Sequence, residues 1–263
     1  MEKLCEQFGK TRQAYYEQLW QEEKTQMQDL LVIEEVEKIR KDLPKVGTQK
    51  LHYLLQDFFR KHQVKLGRDK LYDLLREHQL LPTMKRNRIR TTNSLHHYFK
   101  YPNLIKGLTF TLAHQLWVSD ITYIALINGF CYLSLITDGY SRRIVGWALE
   151  ESLQVKGPIK ALEMAIKSLP KAPHTLIHHS DRGIQYCSHQ YVKLLKNKGI
   201  RISMTNNGDP YENALAERVN RTIKEEFNCH GFFTFAAAQI AIEKAIRIYN
   251  QIRPHASCDY LTP

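Results

Sequence analysis

Three acidic residues stand where an acid is out of keeping with its neighbours. Asp120 lies within 116–124, a run rich in Trp, Val, Ile, Thr and Tyr that reads as a mostly buried strand. An unpaired carboxylate there costs several kcal/mol or gives up its charge, so something must compensate it. Asp181 follows the short strand-like run 175–178 and opens the loop Arg182-Gly183, at the carboxyl edge of a sheet, where α/β proteins gather ligands. Glu217 falls on a helix whose Leu215, Val219, Ile223 and Phe227 recur every four residues as a buried stripe. Two residues from Leu215 is about 200° of helical rotation, so Glu217 points away from the stripe and shares its face with Arg221 and Lys224. Carboxylate oxygens are the hard donors that magnesium prefers. Taken singly, each acid also has an ordinary reading: a turn or network acid, a loop acid, a solvated helix residue.

The elements that must hold these residues are legible in outline. Asp209 is a candidate N-cap, Pro210 suits a first helical position, and Glu212 stands three residues past the cap, as in a capping box. Asn128-Gly129 and Asp138-Gly139 mark turns between strands at 116–124, 130–137 and 143–149. A helix over 158–169, a strand over 175–178, a helix over 190–198 and a strand over 200–204 follow. The order predicts an α/β fold, a mixed five-stranded sheet with helices, in which a meander feeds parallel strands.

The first third reads as helix instead. Leu30, Leu31, Ile33, Val36 and Ile39 recur at helical spacing up to Pro44 and Gly47; Leu51, Leu54, Leu55, Phe58 and Phe59 form a second apolar face; Leu71, Leu74 and Leu75 form a third after Gly67. Arg68, Lys70 and Arg76 face outward on the last of these. Two short helices around a glycine-containing turn, the second one basic, suggest a helix-turn-helix-like DNA reader, although any small bundle has this periodicity. Lys85, Arg86, Arg88 and Arg90 then make a basic linker suited to lie along phosphates, or else a solvated charge run. The boundaries read as an N-terminal helical extension at 1–29, the DNA-binding region at 30–82, the linker at 83–111 and a catalytic core at 112–263.

Charge agrees with that division. The net charge is +11, but residues 1–37 carry −5, residues 38–106 carry +12 and residues 107–263 carry +4. A strongly basic segment beside a nearly balanced one suits a phosphate-binding module joined to a catalytic one. No apolar run approaches the ~20 residues of a membrane helix, and the N-terminus lacks a signal-peptide core, so a cytoplasmic, nucleoid-associated protein with no membrane partner is expected. The five cysteines are scattered without a C-x-x-C pair, which argues for packed, reduced thiols and against zinc, despite the adjacent His178 and His179.

Three separated blocks agree in content, order and spacing with one family. The runs Trp117-Val118-Ser119-Asp120-Ile121-Thr122-Tyr123, His179-Ser180-Asp181-Arg182-Gly183-Ile184-Gln185-Tyr186 and Gly208-Asp209-Pro210-Tyr211-Glu212-Asn213-Ala214, followed by Glu217 and Lys224, resemble the integrase core of insertion-sequence transposases. The match is to the second-frame product of two-frame bacterial elements, related to retroviral integrases. Ser141-Arg142-Arg143-Ile144-Val145-Gly146-Trp147, Tyr249-Asn250 and Arg253-Pro254-His255 fit as well. The resemblance covers about residues 30–263. Near the end, Ala256-Ser257-Cys258-Asp259 departs from the family's glycine-containing pattern, and relatives commonly continue past Pro263.

The resemblance implies a ribonuclease-H-like catalytic core preceded by an all-α, helix-turn-helix-like region. It implies that Asp120, Asp181 and Glu217 are catalytic and hold two Mg²⁺, with Mn²⁺ as a substitute. It implies cleavage at the ends of a mobile element and transfer of the cut strand into target DNA. Lys224, Arg221, Arg182, Asn213, Arg68, Lys70, Lys85, Arg86, Arg88 and Arg90 are the candidate DNA contacts, with Arg182 and Asn213 serving either the backbone or the ordering of the metal ligands. A homo-oligomer on DNA, and fusion to or association with an upstream-frame DNA-binding protein, are expected too. The competing readings are a ribonuclease-H-like nuclease that cuts without joining, and a domesticated or inactive DNA-binding remnant.

Overall fold

The helical periodicity of the first third folds as α1 (Arg12–Arg40), α2 (Thr48–Leu54), α3 (Gln56–His62) and α4 (Arg68–Glu77). The computed structural model describes residues 9, 11–83, 96–169, 175–206 and 210–263. Lys85, Arg86, Arg88 and Arg90 of the expected linker, and the expected cap Asp209, lie outside the described residues. The chain divides into two compact units, Met1–Thr83 and Met84–Pro263.

In the first unit Thr11 caps α1 by accepting the Ala14 N–H at 3.1 Å. Gln63, in the left-handed conformation, ends α3. His52 Nε2 of α2 donates to the Leu66 carbonyl at 3.1 Å, which fixes the turn that leads into α4. Val32, Val36, Leu51, Leu55, Phe59, Leu71 and Leu75 form the buried interior. One helix, Arg12–Arg40, runs unbroken through residue 30. Its inward stripe is set by Val32 and Val36, so Leu30 and Leu31, expected inside, are 62% and 46% exposed.

The second unit is built on β1 (Leu116–Leu126), β2 (Gly129–Asp138), β3 (Ile144–Glu150), β4 (Ile177–Ser180) and β5 (Arg201–Met204), in the order β3-β2-β1-β4-β5. The first three are antiparallel; β1, β4 and β5 are parallel. This is the mixed ribonuclease-H-like sheet that the resemblance implied. Helix α5 (Lys156–Lys167) crosses β3 and β2. It comes so close that a Cβ on Gly146 would stand 2.1 Å from the Ala161 carbonyl oxygen. With α6 (Ile184–Cys187) and α7 (His189–Asn197) it closes one face over Trp117, Ile136, Leu162, Tyr191 and Leu195. Helices α8 (Ala214–Arg221) and α9 (Phe235–Gln251) cover the other face.

Residues 96–115 have no regular structure, yet they belong to this unit. Tyr98 and Tyr101 pack against the first core, and Leu104, Ile105 and Phe110 pack around Leu116, Val118, Ile177 and Ala216. The C-terminal motifs are structural. Asn250 accepts from the Ile144 N–H and donates to its carbonyl, both at 2.9 Å, so a side-chain amide replaces a strand neighbour at the start of β3. Arg253 donates twice to the buried Glu226 carboxylate, at 2.9 and 2.6 Å.

Candidate active site

Parallel pairing puts the two aspartates side by side. Val118 pairs with His179 and Ser119 with Ser180, so Asp120 and Asp181 occupy the next position on neighbouring strands, Asp181 one residue past the end of β4. Side chains alternate along strands, so both acids share a sheet face with Val118 and His179, the face on which α8 packs. Asp181 Oδ1 accepts the Gly183 N–H at 2.9 Å. A Cβ at Gly183 would lie 3.0 Å from that oxygen, so the glycine leaves room for the carboxylate.

Asp120 is half-buried and accepts from the Asn220 side chain at 2.8 Å and from the Ile121 N–H at 2.9 Å. Burial, then Asp181 and to a smaller extent Glu217, push its carboxyl up to about 7 against the pull of those two donors. Glu217 is raised too, by loss of water and by Asp181, while Arg221 lowers it. Lys224 is lowered by burial and held up by Asp120. Thus the charges of Asp120 and Glu217 raise or are raised by their acidic neighbours, Arg221 lowers Glu217, and Asp120 favours the charged form of Lys224.

The helix carrying Glu217 and Lys224 is not uniform. A 3-10 turn, Pro210–Asn213, precedes α8, and the five-residue π turn Thr222–Glu226 follows it, with the Phe227 N–H reaching back to the Thr222 carbonyl. The Glu212 carboxylate accepts from the Asn206 N–H, and Asn213, the residue before α8, makes no side-chain capping bond; the other half of the expected capping box, Asp209, lies outside the described residues. The π turn rotates Lys224 away from its place on a straight α-helix, and such turns recur at functional sites.

Of the two roles open to Asn213, its position suits ordering. It is 6% exposed and donates to the Ser119 carbonyl at 3.1 Å, beside Asp120. Arg182 is half-buried; its carbonyl accepts from His96 Nε2 at 2.8 Å, and its Nε has no partner. Arg68 and Lys70 are exposed on α4 of the other unit, Arg68 paired with Asp69. Sequence reasoning missed Asn220. Its signal was a polar residue next to the stripe residue Val219, three past Glu217 and so near its face.

Among the described residues no group of three or more His, Cys, Asp or Glu side chains forms a ready cage for a metal ion. The donor chemistry nevertheless fits magnesium. The three acids offer only oxygen, repel one another as they stand, and are flanked by the buried, unpartnered Oδ1 atoms of Asn213 and Asn220. A cation offsets that repulsion, and magnesium keeps waters that span distances carboxylates do not reach. The adjacent His178 and His179 make internal hydrogen bonds, His178 through Nε2 and His179 through both ring nitrogens.

Fold and acids together define a polynucleotide-processing core of the integrase class. An integrase core domain family matches residues 111–210, and a second integrase core family matches residues 198–263. A 31 kDa protein of insertion element IS600 from Shigella sonnei is 36% identical over 267 residues, covering 99% of this chain and 96% of its own length. The transposase of IS904 from Lactococcus lactis is 37% identical over 62% of this chain and 65% of its own. The putative transposase of IS986/IS6110 from Mycobacterium tuberculosis is 32% identical over 57% of this chain and 56% of its own, so the chain spans little more than half of that relative. The chain belongs to the insertion-sequence transposases of the DDE and retroviral-integrase superfamily. Among solved structures, the HTLV-2 integrase catalytic core in complex with magnesium aligns at 21% identity and a TM-score of 0.45 over 55% of this chain and 90% of that one. A simian T-cell lymphotropic virus intasome chain aligns at 17% and 0.48 over 83% and 69%.

Proposed function

We propose that this transposase cuts DNA at the ends of a mobile element and joins the cut strand to target DNA, with Asp120, Asp181 and Glu217 as the metal-holding acids. The observation that carries this reading is the placement of Asp120 and Asp181 side by side on parallel strands, with Glu217 close enough to raise Asp120 and to be raised by Asp181. Asp120, Asp181 and Glu217 would together hold two Mg²⁺, or Mn²⁺ in their place. When bound, two such ions supply a nucleophile deprotonated near neutral pH and charge compensation for the phosphoryl transition state and the leaving oxygen.

The chain's own residues do the rest. Lys224, whose charged form Asp120 favours, offers a cation to the phosphate near the scissile bond, and the exposed Arg221 extends that positive edge. Asn220 orients the Asp120 carboxylate, and the Gly183 N–H orients that of Asp181. Arg182 lies along the same loop as a backbone contact. Cutting and joining are one in-line substitution with different nucleophiles, first water and then the freed 3′-hydroxyl, so a single acid cluster serves both. Arg68 and Lys70, with Lys85, Arg86, Arg88 and Arg90, hold the element end, in a homo-oligomer that brings two ends together.

Asp120→Asn, Asp181→Asn and Glu217→Gln are each expected to abolish cleavage of element-end DNA while leaving its binding within about threefold, since the phosphate contacts lie elsewhere. Full cleavage by any one of them would sink the assignment. Joined product in a strand-transfer assay with the unaltered chain separates a transposase from a nuclease that only cuts; cuts without joints favour the nuclease.

A further inference from the structure

The segments that carry the acids are tied together beneath the carboxylates by a relay of hydrogen bonds. The Leu104 N–H donates to Ser203 Oγ at 2.9 Å, Ser203 Oγ pairs with His179 Nδ1 at 2.8 Å, and His179 Nε2–H donates to the Glu212 carbonyl at 3.0 Å. The Glu212 carbonyl only accepts, so Nε2 of His179 carries a proton, and each ring nitrogen is used once. It is fully buried on β4, two residues before Asp181 and on the same face. Glu212 stands at the head of α8, five residues before Glu217. Its neighbour Asn213 donates sideways to the Ser119 carbonyl, next to Asp120, and makes no capping bond for its own helix.

The head of α8 is thus fixed to β4 by His179 and to β1 by Asn213. We propose that His179 is a positioning residue for the transposase reaction: it sets the place of α8, and so of Glu217, relative to Asp120 and Asp181. It acts through a backbone carbonyl and touches neither substrate nor metal. A histidine that only filled the core would be replaceable by an apolar residue of similar size; one that places the helix is replaceable only by a side chain that still donates from the ε position. The relay also begins at Leu104, in the irregular segment that packs beside β1, so the same bonds attach that segment to the acid cluster.

The proposal rests on the metal-holding reading of the acids, and its test has one arm that does not need the metal. In the full-length, metal-free protein, amide hydrogen exchange across 212–221 is compared for the unaltered chain, His179→Leu, His179→Gln and Ser203→Ala, with α5 as reference. His179→Leu is expected to speed exchange in α8 by about tenfold or more while leaving α5 unchanged. Mn²⁺ binding, read by electron paramagnetic resonance, is expected to weaken by about tenfold, as when other groups that orient metal ligands are removed. His179→Gln keeps a donor at the ε position and should restore both readouts to within about threefold of the unaltered chain. Ser203→Ala, which adds no volume, should shift both in the direction of His179→Leu and serves as the test if the leucine variant does not fold. Unchanged exchange in α8, loosening spread equally over α5, or glutamine behaving as leucine would overturn the proposal. Failure of the unaltered chain to bind Mn²⁺ would instead count against the metal reading, and exchange alone would then judge the brace.

Discussion

Two aspartates of this sheet show what separates a site acid from a scaffold acid. Asp138, fully buried at the end of β2, is satisfied by the N–H groups of His114, Tyr140 and Ser141 and by the Ser141 hydroxyl. Asp120 has two donors and two acidic neighbours, and its carboxyl is pushed up to about 7. A folded-state value above the unfolded one means that the metal-free fold is favoured fully at low pH, and that this contribution is lost as pH rises from about 4 through 7. Asp120→Asn should therefore melt higher than the unaltered chain at pH 8 without metal, by about 2–4 °C for each kcal/mol relieved. The gap should narrow toward pH 5, and Mg²⁺ should close it by raising the unaltered chain alone. A variant that melts at or below the unaltered chain at pH 8 would contradict this account. Gly183→Ala makes a complementary case. Its methyl group would press on the Asp181 carboxylate at 3.0 Å, so we expect cleavage to fall about tenfold with melting nearly unchanged. Equal losses of both would assign the glycine to folding instead.

The elements were legible where period and turn chemistry agreed. The strand meander, its glycine turns and the following helix and strands emerge within a residue or two of their predicted limits, because β-branched and aromatic runs bounded by turn residues, and the periods of amphipathic helices, are written directly in the sequence. Asp181 was legible as a strand-end acid for the same reason. What the sequence did not disclose depended on neighbours far along the chain. Leu30 and Leu31 read as inward until packing chose Val32 and Val36 as the stripe of α1. The bond from the Asn206 N–H to the Glu212 carboxylate had no signal in the spacing. Asn220 shows its part only when β1 lies beneath α8. The attachment of α9 to β3 is of this kind, and it should dominate the stability of the core. Asn250→Ala removes two bonds to the Ile144 backbone and is expected to cost about 1–3 kcal/mol. Arg253→Ala strands a buried glutamate, at about 3–5 kcal/mol. Denaturant unfolding reads both, and any cleavage by the remaining folded fraction should keep its normal metal dependence.

Across the whole molecule the charge is uneven, with most of the excess between residues 38 and 106. If that segment grips the element end, the salt dependence of binding should belong to it and not to the acid cluster. Replacing Lys85, Arg86, Arg88 and Arg90 by alanine should weaken binding and flatten the plot of log affinity against log salt by up to about 0.9 per lost phosphate contact. Asp120→Asn should leave that slope unchanged. A four-alanine variant with an unaltered slope would place the grip elsewhere. The π turn at Thr222–Glu226 has a consequence for how the gene tolerates change. It amounts to a surplus residue in an otherwise α-helical ladder, so an in-frame loss of one codon there would leave the reading frame whole and the helix more regular. Such a deletion would be well folded yet mute, its lysine swung off the acids by a fraction of a turn.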